Sequence, residues 1–144
     1  MPPLPRISLD PVPRPVVDSR SVFAQVKVPG FHHWPDAPPP VEFLRARHRH
    51  LFHIMVMATV GHDERAVEFI YLSHLILQAL RSLYVAPADP ELAGAFEFGA
   101  RSCETIAIDL ANQLALCGVS VRAIEVNEDD ENGAMIEFQP GRRA

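Results

Sequence analysis

Proline placement divides this chain more firmly than any other feature. Eleven of the 14 prolines lie within residues 1–40, and six of those fall between Pro2 and Pro15. Proline withholds an amide donor and fixes φ, so a stretch this rich in it enters neither a helix interior nor the middle of a sheet. Residues 1–20 are therefore expected to form a flexible arm, either a passive tail or a segment lent to a neighbouring subunit. Residues 21–144 are expected to form a single domain. The chain has 144 residues in all, enough to bury one sizeable core without staples.

Beyond the arm, the spacing of apolar residues changes twice. Val22, Ala24, Val26 and Val28 alternate with polar residues, the pattern of a half-buried strand, which Pro29-Gly30 is expected to end. Phe31-His32-His33-Trp34 then leads into a loop carrying Pro35, Pro38, Pro39 and Pro40. A second strand is expected from Arg47 to Val60, where Leu51, Phe52, Ile54, Val56, Thr59 and Val60 concentrate. The period then becomes helical. Phe69, Leu72, Leu75, Ile76, Ala79, Leu80 and Leu83 form one stripe, closed off by Pro87 and Pro90. A second helix fits Ser102 to Cys117, with Ser102 as N-cap, Glu104 in the first turn and Gly118 as the stop. Val119 to Val126 alternates again. The acidic loop 127–133, ending in the turn-forming dipeptide Asn132-Gly133, leads to a last strand from Ala134 to Phe138.

The order strand, strand, helix, helix, strand, strand predicts an α+β domain: a four-stranded antiparallel sheet with two helices on one face. Such a sheet has two free edges. Pairing them with other subunits would hide both, so a homo-oligomer is expected.

Charge and hydropathy exclude several classes of function. Thirteen Lys and Arg against 18 Asp and Glu give a net charge of −5, which provides no broad basic face for nucleic acid. No apolar run approaches the ~18 residues of a membrane span, and the N-terminus lacks a signal-peptide core. A cytoplasmic protein without nucleic-acid or membrane partners is expected. Cys103 and Cys117 are too far apart along one helix to bridge, so both are expected to be reduced. Cys103, just inside a helix N-terminus, is either a thiol of lowered pKa or a structural cysteine.

Seven histidines stand out by placement. His48 and His50 are two apart on an expected strand, so they share a face and their imidazoles can reach one metal ion. If the first two strands pair antiparallel through the proline-rich loop, His32 or His33 comes beside them. Three imidazoles with an open fourth position describe a catalytic zinc site. The plainer reading is a set of surface or core histidines. His53 falls on the opposite face, His62 in a turn and His74 on a helix. Arg45, Arg47 and Arg49 alternate with the pair and form either an anion site or a solvated rim. Glu104 and Glu128 are the carboxylates of interest. Glu128, at the end of an apolar strand, can accept two hydrogen bonds from a flat heterocycle, or it belongs to a solvated acidic loop.

Together these residues resemble the 6-pyruvoyl-tetrahydropterin synthase and 6-carboxytetrahydropterin synthase family over residues 22–138. The resemblance implies a tunnelling-fold (T-fold) subunit whose sheets join into an oligomeric barrel, with pterin or purine-like ligands bound between subunits. It also implies Zn2+ held by His32, chosen over His33, with His48 and His50. Glu68-Phe69 is similar to the family's Asp-Phe before the first helix. Arg101-Ser102-Cys103-Glu104-Thr105 is similar to its Pro-Thr-x-Glu-Asn helix start, and Glu128 to its ligand-anchoring Glu. The activity implied is that of a zinc-dependent lyase on a pterin-like small molecule.

The chain also departs from the family pattern. No Cys occurs in the 42–47 stretch before the HxH, and no Asp-His occurs near Leu83-Tyr84-Val85. Arg49 replaces the Gly between the two histidines. A proton carrier would have to come from His33, His53 or His62. A ligand-binding protein without turnover, and an assembly-forming protein with structural histidines, remain the other two readings.

Overall fold

The computed structural model describes residues 1–5 and 9–139. Of the expected arm, residues 6–8 lie outside this description, and so do residues 140–144 of the expected domain. Residues 1–5 and 9–19 are exposed and carry no helix or strand.

Two long strands organise the domain. β1 (Ser21–His32) pairs antiparallel with β2 (His48–Thr59) along its whole length, from Ser21 opposite Thr59 to His32 opposite His48. Pro29-Gly30 does not end β1. The neighbouring strand joins β1 only from Gly30 onward, so β1 is still an edge on that side at Pro29, where a residue without an N–H is tolerated. Gly30 is also needed for space. A Cβ there would lie 2.9 Å from the Phe52 ring and closer still to the Phe98 ring.

α1 (Phe69–Leu83) follows the apolar stripe of the sequence, and the Glu68 carboxylate caps it by accepting from the Ile70 and Tyr71 amides. β3 (Phe96–Gly99) is a strand the sequence pattern does not predict. It runs parallel to β1, with Phe96 and Phe98 turned into the core. α2 (Cys103–Leu116) begins at Ser102, whose hydroxyl accepts from the Thr105 amide. It stops where Gly118 takes φ +81°, the left-handed conformation a helix end uses. β4 (Val121–Glu128) and β5 (Asn132–Glu137) complete the order β3-β1-β2-β4-β5. The expected four-stranded antiparallel sheet is therefore a five-stranded mixed one, because four residues between the helices add a parallel edge.

The last hairpin also differs from expectation. Asn132-Gly133 lies within β5, and the turn is made by Asp129 and Asp130 at φ +57° and +59°. Glu131 N–H donates to the Glu128 carbonyl across it at 3.0 Å. Two successive left-handed residues are the mark of a type I′ turn, which Asp tolerates better than most side chains.

Both helices cover the same sheet face. Leu72, Ile76 and Leu80 of α1 and Ile106, Leu110 and Leu114 of α2 pack with Val26, Val28, Phe52, Ile54, Val56, Ile124 and Val126. The residues that alternate with these, Phe23, Met55, Met57 and Met135, face away from the helices. Among the described residues no helix is long and apolar enough to cross a membrane.

Candidate metal centre

Strand alternation brings the histidines together. His48 and His50 lie on the helix-covered face, continuing the row of Phe52, Ile54 and Val56 beyond the end of the core. The antiparallel register sets His32 directly opposite His48, and Gly30 opposite His50. Ring centroids of His32, His48 and His50 are 4.7, 5.0 and 5.4 Å apart. Each ring offers one nitrogen, and these nitrogens lie within 4.8 Å of one another, so the three residues can hold one metal ion. His32, buried to 8% exposure, is the third member. His33 lines the adjoining cleft instead.

The other nitrogen of each ring has a partner of its own. His32 Nδ1 is 3.0 Å from the Arg101 carbonyl, His48 Nδ1 is 2.8 Å from the Ala46 carbonyl, and His50 Nδ1 is 2.6 Å from Asp129 Oδ2. Carbonyls and ionised carboxylates only accept, so each Nδ1 carries a proton and donates, and in the neutral ring Nε2 is the nitrogen left with a lone pair. This is how metal-ligating histidines are usually oriented. Asp129 is itself fixed. Its Oδ1 accepts from the Leu51 amide at 2.8 Å, and its own amide donates to the Leu51 carbonyl at 2.8 Å. The His50 ring and the Leu51 amide hold the Asp129 carboxyl below the usual carboxylate range.

β3 accounts for the Arg101 carbonyl. The chain turns at Gly99, where φ is +64°, and His33 N–H donates to the Gly99 carbonyl at 2.9 Å. Arg101 Nε donates to Asp109 on α2, which also accepts from the Tyr84 hydroxyl at 3.0 Å. The unpredicted strand thus brings the start of α2 against the histidines.

A cleft of about 560 Å³ opens beside the centre. Its lining includes His33, Trp34, Cys103, Glu104 and Glu128 along with His32 and His48. Glu104 and Glu128, singled out from separate stretches of sequence, therefore face one cavity. Glu128 spans two rings, with Oε1 2.9 Å from His32 Nε2 and Oε2 3.3 Å from His50 Nε2. The His32 hydrogen bond, working against burial, holds the Glu128 carboxyl below its usual range. Burial pulls the His32 pKa down, but the Glu128 and Arg101 hydrogen bonds outweigh it and leave the ring above its ordinary value. Cys103 lies 3.7 Å from Glu128. Burial first, then the Glu128 charge, pushes its thiol up to about 12, the opposite of the lowered value a helix N-terminus alone implies.

Other expected residues lie elsewhere. Arg45 belongs to a 3-10 turn at Glu42–Arg45 rather than to the strand, and donates to the Ala37 carbonyl. Arg47 pairs with Glu97 and stacks on Phe31. Neither forms an anion site with Arg49. His53 faces away from the cleft, and His62 accepts from the Glu64 amide in its own turn. Both cysteines are free. Sequence reasoning missed Asp129, whose only signal is its place directly after Glu128.

No protein-family model matches this sequence, and no curated protein matches it. Among solved structures, the chain is similar to an uncharacterized protein from Wolinella succinogenes. The TM-score is 0.57 at 13% sequence identity, over 84% of this chain and 99% of that one. At that identity the likeness shows the fold alone.

Proposed function

We propose that this chain holds a zinc ion through His32, His48 and His50 and binds a pterin-like or related purine-like small molecule in the adjoining cleft. In this reading it is a T-fold subunit similar to the 6-pyruvoyl- and 6-carboxytetrahydropterin synthases. The observation that carries the reading is that each of the three rings sets Nδ1 against a backbone carbonyl or carboxylate acceptor while one nitrogen of each lies within 4.8 Å of the others. Imidazole nitrogens are a donor set that suits zinc. A zinc ion held there supplies Lewis acidity to oxygens of a bound side chain.

The chain's own residues do the rest. Glu104 presents a carboxylate to the N–H groups of a flat ring, and Trp34 provides an indole surface for it to stack on. His33 is the histidine within the cleft available to move a proton. The open edges at β3 and β5 and the uncovered face bearing Phe23, Met55, Met57 and Met135 favour a homo-oligomer.

A second reading, binding without turnover, draws support from one specific observation. Cys103, the thiol nearest the centre, is held protonated, and the family's Cys and Asp-His positions are empty of those residues. Trp34 is the chain's one tryptophan, so its emission reports occupancy of the cleft. Titrating zinc-loaded protein with a dihydropterin should quench Trp34, and Glu104→Ala should abolish the quench. Product formed in the same mixture supports the lyase, and quenching without product supports the binding protein. No quench with any pterin removes the pterin from the proposal.

A further inference from the structure

Glu128 stands nearer the histidines than anchoring a ring in the cleft requires. β4 places it on the helix-covered face, two residues past Val126, and the β2–β4 register sets it opposite Phe52. Its two oxygens approach Nε2 of two different rings, at 2.9 and 3.3 Å. Both Nδ1 atoms already donate to acceptor-only groups, so what lies between each Nε2 and the carboxylate is either a proton, as in the His32–Glu128 hydrogen bond, or, with the rings neutral, a metal ion. The His50 Nε2 atom favours the ion: it is buried and has no hydrogen-bond partner among the described residues, although Oε2 lies 3.3 Å away. Further contacts steady the carboxylate. Cys103 donates its S–H to Oε1 at 3.7 Å, and the I′ turn that follows Glu128 is clamped to Leu51 through Asp129.

We infer that Glu128 is the fourth ligand of the metal ion held by His32, His48 and His50, so that without a bound small molecule four protein donors surround the ion. This rests on the reading that the three histidines bind a metal. It departs from what the family resemblance implies for this position, and it leaves Glu104 as the carboxylate that meets a ligand. Three nitrogens and one oxygen complete a tetrahedral set, and a small molecule reaches the ion by displacing Glu128 or by adding as a fifth donor.

The test uses full-length protein loaded with cobalt(II) or zinc, without an affinity tag containing histidine. Glu128→Gln and Glu128→Ala are compared with wild type by chelator competition and by visible absorption of the cobalt form. Loss of about tenfold or more in zinc affinity is expected in both variants. The wild-type cobalt spectrum should be unchanged between about pH 6.5 and 9, because no water sits in its fourth position. In Glu128→Ala, where water can enter, it should titrate near neutrality. Wild-type affinity in both variants, or a wild-type spectrum that titrates like that of Glu128→Ala, overturns the assignment of Glu128 while leaving the histidine site standing. Wild-type protein that takes up neither metal overturns both. The wild-type titration needs no variant to fold.

Discussion

His50 Nδ1–H donates to Asp129 Oδ2 at 2.6 Å, and the same carboxylate accepts from the Leu51 amide through its other oxygen. One residue of the hairpin turn thus fixes both the tautomer and the angle of a ring on the neighbouring strand. Partners of this kind typically change metal affinity by about 10- to 100-fold when removed. Asp129→Ala should lower zinc affinity by that amount, read by competition with a chromophoric chelator, and far-UV circular dichroism should show the sheet retained. Unchanged affinity would mean that His50 is oriented by something other than Asp129.

Gly30 sits under two aromatic rings at the point where β1 approaches the centre. A methyl group there would lie 2.9 Å from Phe52 and closer still to Phe98, and both rings are fully buried. Overpacking of this kind costs about 1–3 kcal/mol. Gly30→Ala should therefore lower the denaturation midpoint measurably. The expected metal affinity also falls, since Phe52 packs against His32 and His50 with ring centroids 5.2 and 5.8 Å away.

The cap of α1 gives a pH dependence with a definite sign. Glu68 accepts from the Ile70 and Tyr71 amides, and these bonds hold its carboxyl below the ordinary value of 4.5. Its folded-state pKa is lower than its unfolded one, so its contribution is complete above the unfolded value and is lost as pH falls through the folded one. Denaturant curves at pH 7 should show Glu68→Ala less stable than wild type. That difference should shrink once the pH is taken below about 4, and a difference that stays constant to pH 3 would show that the charge of Glu68 contributes nothing.

The two thiols should differ sharply in reactivity. Cys117 is exposed, whereas Cys103 is 8% exposed with its pKa pushed up to about 12. An alkylating reagent at pH 8 should label Cys117 alone in the native protein and both in denaturant, as mass spectrometry of the peptides would show. Native labelling of Cys103 at a comparable rate would mean that the start of α2 opens readily.

The sequence showed different parts of this fold to different degrees. α1 could be read from its stripe, because seven apolar side chains repeat at helical spacing ahead of two prolines, while the Glu68 cap appeared only in the structure. That His32 or His33 would come beside the HxH could be read on the condition that the two strands pair antiparallel, and the register, which no local pattern shows, selects His32. β3 could not be read this way. Phe-Glu-Phe-Gly is too short for a period to show, and its partner lies more than 60 residues earlier in the chain. The run through Pro29-Gly30 also depends on that missing strand, since only the late arrival of β3 leaves Pro29 at an edge. Asn132-Gly133 has the stronger turn dipeptide, yet Asp129-Asp130 makes the turn. The register of β4 on β2 and the clamp of Asp129 on Leu51 fix the hairpin three residues earlier, which local preference cannot reveal. Asp129 went unnoticed for the same reason: its role is defined by a strand 79 residues away.

Metal content per chain, measured on protein purified without a histidine tag alongside His48→Ala and His50→Ala, tests the centre most directly. About one zinc ion per wild-type chain, lost from both variants, is the predicted result. Wild-type protein that is metal-free as purified, and still metal-free after zinc is added and excess removed, would contradict it.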